Sequence, residues 1–225
     1  MVGGQEHMIL ADHKNREEWL ESRRKGLGGS DAGAATGANP WKSAHDLWME
    51  KTGAVVPEDI GEKPAVKFGK LAEEHVRALF LLDHPEYECE YHEFRMYAND
   101  RLPWLYATLD GELTDTIADR RGIYEGKTTE IKRPEQWDEW DGCIPQHYYV
   151  QILHQLLACE WAEFAVLFAC IRYTTKDGER RMMLREYPIE RSDVADDLAW
   201  LLEQEQAFWH MIQNGIEPPD LLPEI

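Results

Sequence analysis

Between residues 65 and 82 the apolar side chains Phe68, Leu71, Val76, Leu79 and Phe80 recur at helical spacing, which predicts a helix with one buried side. Shorter helices are expected before it. Asn15 followed by Glu18 makes a capping-box-like start for a helix through Arg24, and the glycines at 26, 28 and 29 break it. Ser30 can cap a short helix through Ala35, and Ser43 with Asp46 can cap another over residues 44–52, closed by Gly53. The period then changes. Residues 87–97, 104–113 and 122–128 read as strands bounded by turn residues such as Asn99-Asp100. A helix over 146–159 follows Pro145, then two strands, 163–173 and 180–188, flank the turn Lys176-Asp177-Gly178. Ser192 is expected to cap a last helix reaching Asn214-Gly215.

Helices, then strands, then a helix between strands indicate an α/β or α+β domain, a central mixed sheet flanked by helices. No repeat or long linker divides the 225 residues. One domain over 1–225 is expected, with a helical portion at about 14–82, a sheet core at about 87–190 and a C-terminal helix at about 192–214.

Composition is globular, with 43% hydrophobic residues and nine Trp. The longest apolar run, near 164–171, is far too short to cross a bilayer, so no membrane association is expected. Residues 1–7 lack a basic segment followed by an apolar one, so no secretory signal is read there and a cytoplasmic location follows by default. Cys89, Cys143, Cys159 and Cys170 show no C-x-x-C spacing; they read as buried small hydrophobes, not metal ligands. Net charge is −19, which argues against a protein that coats DNA through a broad basic surface. The imbalance is uneven. Residues 192–225 hold eight acids and no Lys or Arg, whereas residues 14–25 hold five bases against three acids.

In Tyr106-Ala107-Thr108-Leu109-Asp110, alternation puts Tyr106, Thr108 and Asp110 on one face. Glu125-Gly126-Lys127 puts its two charged side chains on one face of the next strand. Two carboxylates can hold a hard divalent cation, and a lysine ammonium can neutralise charge growing on a phosphate. Metal-assisted phosphodiester cleavage needs those parts. Strands often carry solvated charges, however, and Glu130-Ile131-Lys132 repeats the spacing five residues on. Glu125 is preferred because Gly122-Ile123-Tyr124 leads into it as a strand, whereas Glu130 lies beyond two threonines and before Pro134. Trp137, Trp140, Tyr148 and Tyr149 could stack on unpaired bases or simply pack the core.

Several ordered motifs carry a more specific message. They are Trp19-Leu20 with Arg23, Gly28-Gly29-Ser30-Asp31, Asn39-Pro40-Trp41-Lys42-Ser43 and Asp46-Leu47-Trp48. Phe68-Gly69-Lys70 with Glu73 follows, then Ala107-Thr108-Leu109-Asp110-Gly111 and Tyr124-Glu125-Gly126-Lys127-Thr128. Ile144-Pro145, Tyr148-Tyr149, Gln151 and His154-Gln155-Leu156 close the series. Together they resemble the phage lambda exonuclease and YqaJ-type viral recombinase family, within the PD-(D/E)XK nuclease superfamily. That resemblance implies a restriction-endonuclease-like core and a Mg2+-dependent exodeoxyribonuclease, with Mn2+ as a substitute.

By the same resemblance, Asp110 and Glu125 ligate the metal, Glu73 adds a further acidic ligand, and Lys127 is the catalytic lysine. Arg23, Ser30 and Thr108 fall where the family grips a 5′-phosphate, and Gln151 where a helix glutamine orients the site. Gly126 departs from the pattern, a bulkier residue being usual between Glu and Lys. The implied activity digests one strand of duplex DNA from its end, 5′ to 3′, leaving a 3′ overhang. The implied setting is a homotrimeric ring, in the cytoplasm of a phage-bearing host, beside a single-strand annealing protein. In such a ring, basic side chains would line the channel and the acidic C-terminal segment would face outward. An endonuclease of restriction or repair type on the same fold, or a non-catalytic DNA-end-binding module, are the alternatives.

Overall fold

In the computed structural model, which describes residues 9–58 and 60–219, β1 (Ile9–Asp12) precedes four helices: α1 (Arg16–Arg23), α2 (Gly29–Ala35), α3 (Ala44–Lys51) and α4 (Pro64–Asp83). Five strands follow: β2 (Tyr87–Glu90), β3 (Arg95–Ala98), β4 (Tyr106–Ala107), β5 (Gly111–Asp115) and β6 (Arg120–Ile131). A 3₁₀ helix (Pro134–Trp140) leads to α5 (Gln146–Ala158), β7 (Phe164–Thr174), β8 (Arg180–Glu190) and α6 (Ala195–Asn214). The main sheet has the order β2-β5-β6-β7-β8, and a smaller one the order β1-β3-β4. The β6–β7 pair is parallel, from Gly122 opposite Phe164 to Ile131 opposite Tyr173. Every other strand pair is antiparallel. The main sheet is therefore mixed.

The two faces of β7 explain the layering. Phe164, Val166, Phe168 and Cys170 pack with Tyr124 against Val76 and Phe80 of α4. Ala165, Leu167, Ala169 and Ile171 pack with Ile123 against Ile152, Leu153 and Leu156 of α5. A strand covered on both sides reads as a continuous apolar run. Each large side chain so buried contributes about 1.5–3 kcal/mol. Outside α5 lies α6, whose Leu198 and Leu201 join the same core. Arg191 ties the end of α5 to the sheet by donating to the carbonyls of Leu156, Cys159 (2.8 Å) and Ala162 (2.6 Å).

Several expectations change. The single strands expected at 87–97 and 104–113 are each divided between the two sheets, β2 and β5 in one, β3 and β4 in the other. Alternation says which face a residue takes, not which neighbour the strand pairs with. Strand β6 is longer than expected and includes Glu130. Ser30 is not a cap: α2 begins after Gly28, whose N–H donates to the Asp31 carboxylate at 3.0 Å. Ser192 is not a cap either, since α6 starts at Ala195. Only Cys159 and Cys170 are buried; Cys143 is exposed and Cys89 half-buried. The acidic C-terminal segment is not uniformly outward, because Glu205 of α6 is fully buried. Residues 1–7, examined for a secretory signal, lie outside the described residues. Among the described residues no helix is long and apolar enough to cross a membrane.

Candidate active site

Asp110 occupies the bend where the chain leaves β4 for β5, and so passes from the small sheet to the large one. Its Oδ2 accepts the Gly126 N–H at 3.0 Å, and its carbonyl accepts from Arg77 Nη1 of α4 at 2.8 Å. Backbone and helix thus aim this carboxylate at β6. The next residue must be small: a Cβ at Gly111 would stand 2.3 Å from Cys89 Sγ.

On β6, Glu125 and Lys127 point to the α5 side and form an ion pair. Gln151 and Gln155, one turn apart on α5, donate to the two Glu125 oxygens at 2.6 Å each. Glu125 is buried, so this double clamp replaces the water it lost. Lys127 Nζ lies 5.1 Å over the Tyr148 ring. Gly126 faces the opposite way, beneath Tyr124, whose ring a Cβ would meet at 3.2 Å. The glycine between Glu and Lys therefore makes room for that buried tyrosine.

Charge ties Glu73 of α4 into the same group. Burial pushes the Asp110 carboxyl well above the usual range, and Glu125 and Glu73 push further in the same direction against Lys127. Glu73 is raised by burial and by Glu125, against Arg77 and Lys127. For Lys127, burial pulls down but Glu125 and Asp110 outweigh it, so the ammonium keeps its proton. Three carboxylates from a helix, a bend and a strand thus act on one another electrostatically, opposed by Lys127 and, at Glu73, also by Arg77. An all-oxygen set under mutual repulsion fits a hard divalent cation.

A second group stands on the N-terminal side. Arg23 Nη2 donates to Ser30 Oγ at 2.5 Å, and its guanidinium lies 4.7 Å from the Trp19 ring centre. Trp19 Nε1 in turn donates to Thr108 Oγ1 at 2.9 Å. Arg23, Ser30 and Thr108 are thereby joined through an indole. Behind them Asp31 is buried and pairs with Lys51 at 2.7 Å. Burial raises its carboxyl, but Lys51 and Arg23 prevail and hold it down at about 2.

The sequence reading gave Gln151 a site role but Gln155 only a place among the motifs, although the i, i+4 spacing of the two on one helix was legible. Trp19 and Tyr148 carry no sequence signal of their contacts with Thr108 and Lys127. The competing Glu130 and Lys132 are exposed and 3.8 Å apart. Burial, not strand membership, separates them from Glu125 and Lys127. Of the four aromatic side chains considered for base stacking, Trp140 is buried and Trp137, Tyr148 and Tyr149 pack against the core. Among the described residues, one trio of metal-type ligand atoms lies within 4.8 Å of one another: Glu90, His92 and Glu112. Arg121 at 2.9 Å and Arg95 at 3.6 Å already neutralise Glu112, and Tyr97 donates to it.

Residues 18–162 match the family described as the YqaJ-like viral recombinase domain. The chain belongs to this family. A YqaJ relative, the uncharacterized protein YqaJ of Bacillus subtilis (strain 168), is 33% identical over 224 residues. That alignment covers 92% of this chain and 59% of the relative, so the chain spans under two thirds of that relative's length. Among solved structures, an alkaline exonuclease from Laribacter hongkongensis is similar in fold to this chain, at a TM-score of 0.63 and 17% identity. The match covers 89% of this chain and 94% of that one. The same exonuclease in complex with dAMP matches at a TM-score of 0.58 and 16% identity. The shared fold is a mixed sheet with α4 and α5 on its two faces.

Proposed function

We propose that this YqaJ-family chain is a divalent-metal-dependent exodeoxyribonuclease that digests one strand of duplex DNA from its 5′ end. What supports this reading is the buried Glu125–Lys127 ion pair clamped by Gln151 and Gln155, with the Asp110 carboxylate aimed at the same strand by the Gly126 N–H and with Glu73 within electrostatic reach of both. Glu73, Asp110 and Glu125 would hold Mg2+, which when bound supplies Lewis acidity at the phosphodiester. Gln151 and Gln155 keep the Glu125 carboxylate in one orientation. Lys127, protonated, offers positive charge where negative charge grows on the phosphoryl oxygens. Hydrolysis joins a water oxygen to phosphorus and breaks the bond from phosphorus to O3′ of the terminal nucleotide, whose O3′ leaves with a proton. The shortened strand keeps a 5′-phosphate. That group suits the Arg23–Ser30–Thr108 cluster, so each turnover regenerates the feature the cluster would grip.

A gel assay tests this reading with a linear duplex labelled at either 5′ or 3′ terminus, with and without Mg2+. Loss of the 5′ label as mononucleotide, with the 3′-labelled strand shortening progressively, is expected only with the cation. Cleavage of covalently closed circles would favour an endonuclease instead. Arg23→Ala is expected to reduce the preference for 5′-phosphorylated over 5′-hydroxyl ends by about tenfold, the charge-assisted contact being worth about 1.5–3 kcal/mol. Equal discrimination in that variant would remove Arg23 from the assignment.

A homotrimeric ring around DNA belongs to the same proposal. It would reconcile a charge of −19 with DNA binding by gathering the basic side chains toward one channel. Sedimentation should then give about three times the monomer mass; a monomer at working concentration would remove the basis for threading. A single-strand annealing protein is the partner such an exonuclease needs, because its product is a 3′ overhang.

A further inference from the structure

Trp41 is 75% exposed, against 47% for Trp200 and 40% for Tyr91. It is not loosely held. The Asn39 side chain accepts the backbone N–H groups of Trp41 at 2.8 Å and Lys42 at 3.1 Å, fixing a tight turn. The indole meets the His147 ring edge to face, 4.9 Å between centres. His147 lies 4.0 Å from the Tyr148 ring, and Tyr148 lies beneath Lys127. Gly33 of α2 lies beside both parts, its Cβ position 3.4 Å from the Asn39 Cβ and 3.6 Å from the His147 Cβ. A continuous aromatic path therefore runs from the catalytic lysine to an exposed ring.

The path is electrically neutral until it reaches Lys127. Burial and the nearby Lys127 push the His147 imidazole down to about 4, so at neutral pH it supports the indole as an uncharged ring. With its charge of −19 the protein gains little from broad phosphate attraction. A base stacked on an aromatic side chain needs no net charge and tolerates any sequence.

We propose that Trp41 is a stacking platform for one nucleobase of the strand being cleaved, placing that nucleotide's phosphate at Lys127. This rests on the nuclease reading of the site and adds a specificity-determining residue to it. Binding and cleavage are measured separately, so failure of one reading is distinguishable from failure of the other.

The test uses 5′-phosphorylated duplexes whose terminal linkages are phosphorothioates, so that wild-type protein binds without digesting them. Each of the first few nucleotides is made abasic in turn, and affinity is read by fluorescence anisotropy. Wild type is expected to lose about tenfold in affinity at one position. Trp41→Ala should reduce that penalty to under about twofold, while Trp41→Tyr should retain most of it. Because Trp41 is exposed, neither substitution threatens the fold. The ratio of intact to abasic affinity should also hold between about 50 and about 200 mM salt, although both affinities weaken. An unchanged penalty in Trp41→Ala, or no penalty at any position in wild type, overturns the proposal. If ordinary duplexes go uncleaved with Mg2+ while the abasic penalty still depends on Trp41, the platform stands and the nuclease reading falls.

Discussion

Lys127→Ala and Asp110→Ala are each expected to cut the cleavage rate of a linear duplex by about 10²- to 10³-fold or more, with the fold intact. The two act for different reasons. Lys127 is the positive group that pairs with Glu125 on the same strand, and burial does not strip its proton because Glu125 and Asp110 hold it there. Removing it leaves Glu125 clamped by Gln151 and Gln155, so the damage is to the charge offered to the phosphate. Asp110 serves as a carboxylate among carboxylates, and its removal relieves repulsion on Glu125 and Glu73. Asp110→Ala should therefore be at least as stable as wild type in the absence of metal, while losing the stabilisation that added Mg2+ gives wild type in a thermal titration. Glu130→Ala is the control, expected to digest normally because that side chain is exposed on strand β6. Near-normal turnover in Asp110→Ala would relocate the metal centre elsewhere.

His154→Leu is expected to cost about 3–5 kcal/mol of stability, a fall in Tm of roughly 10 °C for a domain of this size. His154 of α5 is fully buried, bonded at Nδ1 to Glu205 of α6 at 2.7 Å. At Nε2 it meets the Tyr106 carbonyl at 2.8 Å. Truncating the imidazole strands a carboxylate in the core, and Glu205 already has one oxygen without a partner. Replacing both residues by apolar ones should recover much of the loss, since a buried pair costs desolvation that an apolar contact avoids.

The pair also predicts a pH slope. Burial lowers the imidazole's proton affinity, but Glu205 more than reverses this, so the folded state holds its proton above the ordinary value of 6.5. The stabilisation is then complete below 6.5 and is lost as pH rises through the raised native value. Denaturation midpoints of wild type should fall on the alkaline side of neutrality, and His154→Leu should lose this part of the slope. A loss under about 1 kcal/mol in the single variant would show the pair to be dispensable.

The sequence by itself determined the element types and the charged cast. Helix α4 was legible because its apolar residues repeat at helical spacing, although only Val76 and Phe80 of the expected buried side are buried while Leu71 and Leu79 are exposed; β7 was legible because an uninterrupted apolar run has two covered faces. Glu125 and Lys127 were placed on one face by a spacing of two, which any strand enforces. Local periodicity is a property of a few consecutive residues, so one chain suffices to read it. Pairing is not local. That residues 87–97 and 104–113 each divide between two sheets, leaving Asp110 at the crossing, depends on partners far along the chain. So does the choice between Glu125 and Glu130, identical in spacing and separated only by the burial that α5 imposes. The clamp by Gln155, the indole bridge from Arg23 to Thr108 and the exposure of Trp41 are likewise contacts between distant segments. Periodicity assigns each side chain a direction; only packing decides what lies in that direction.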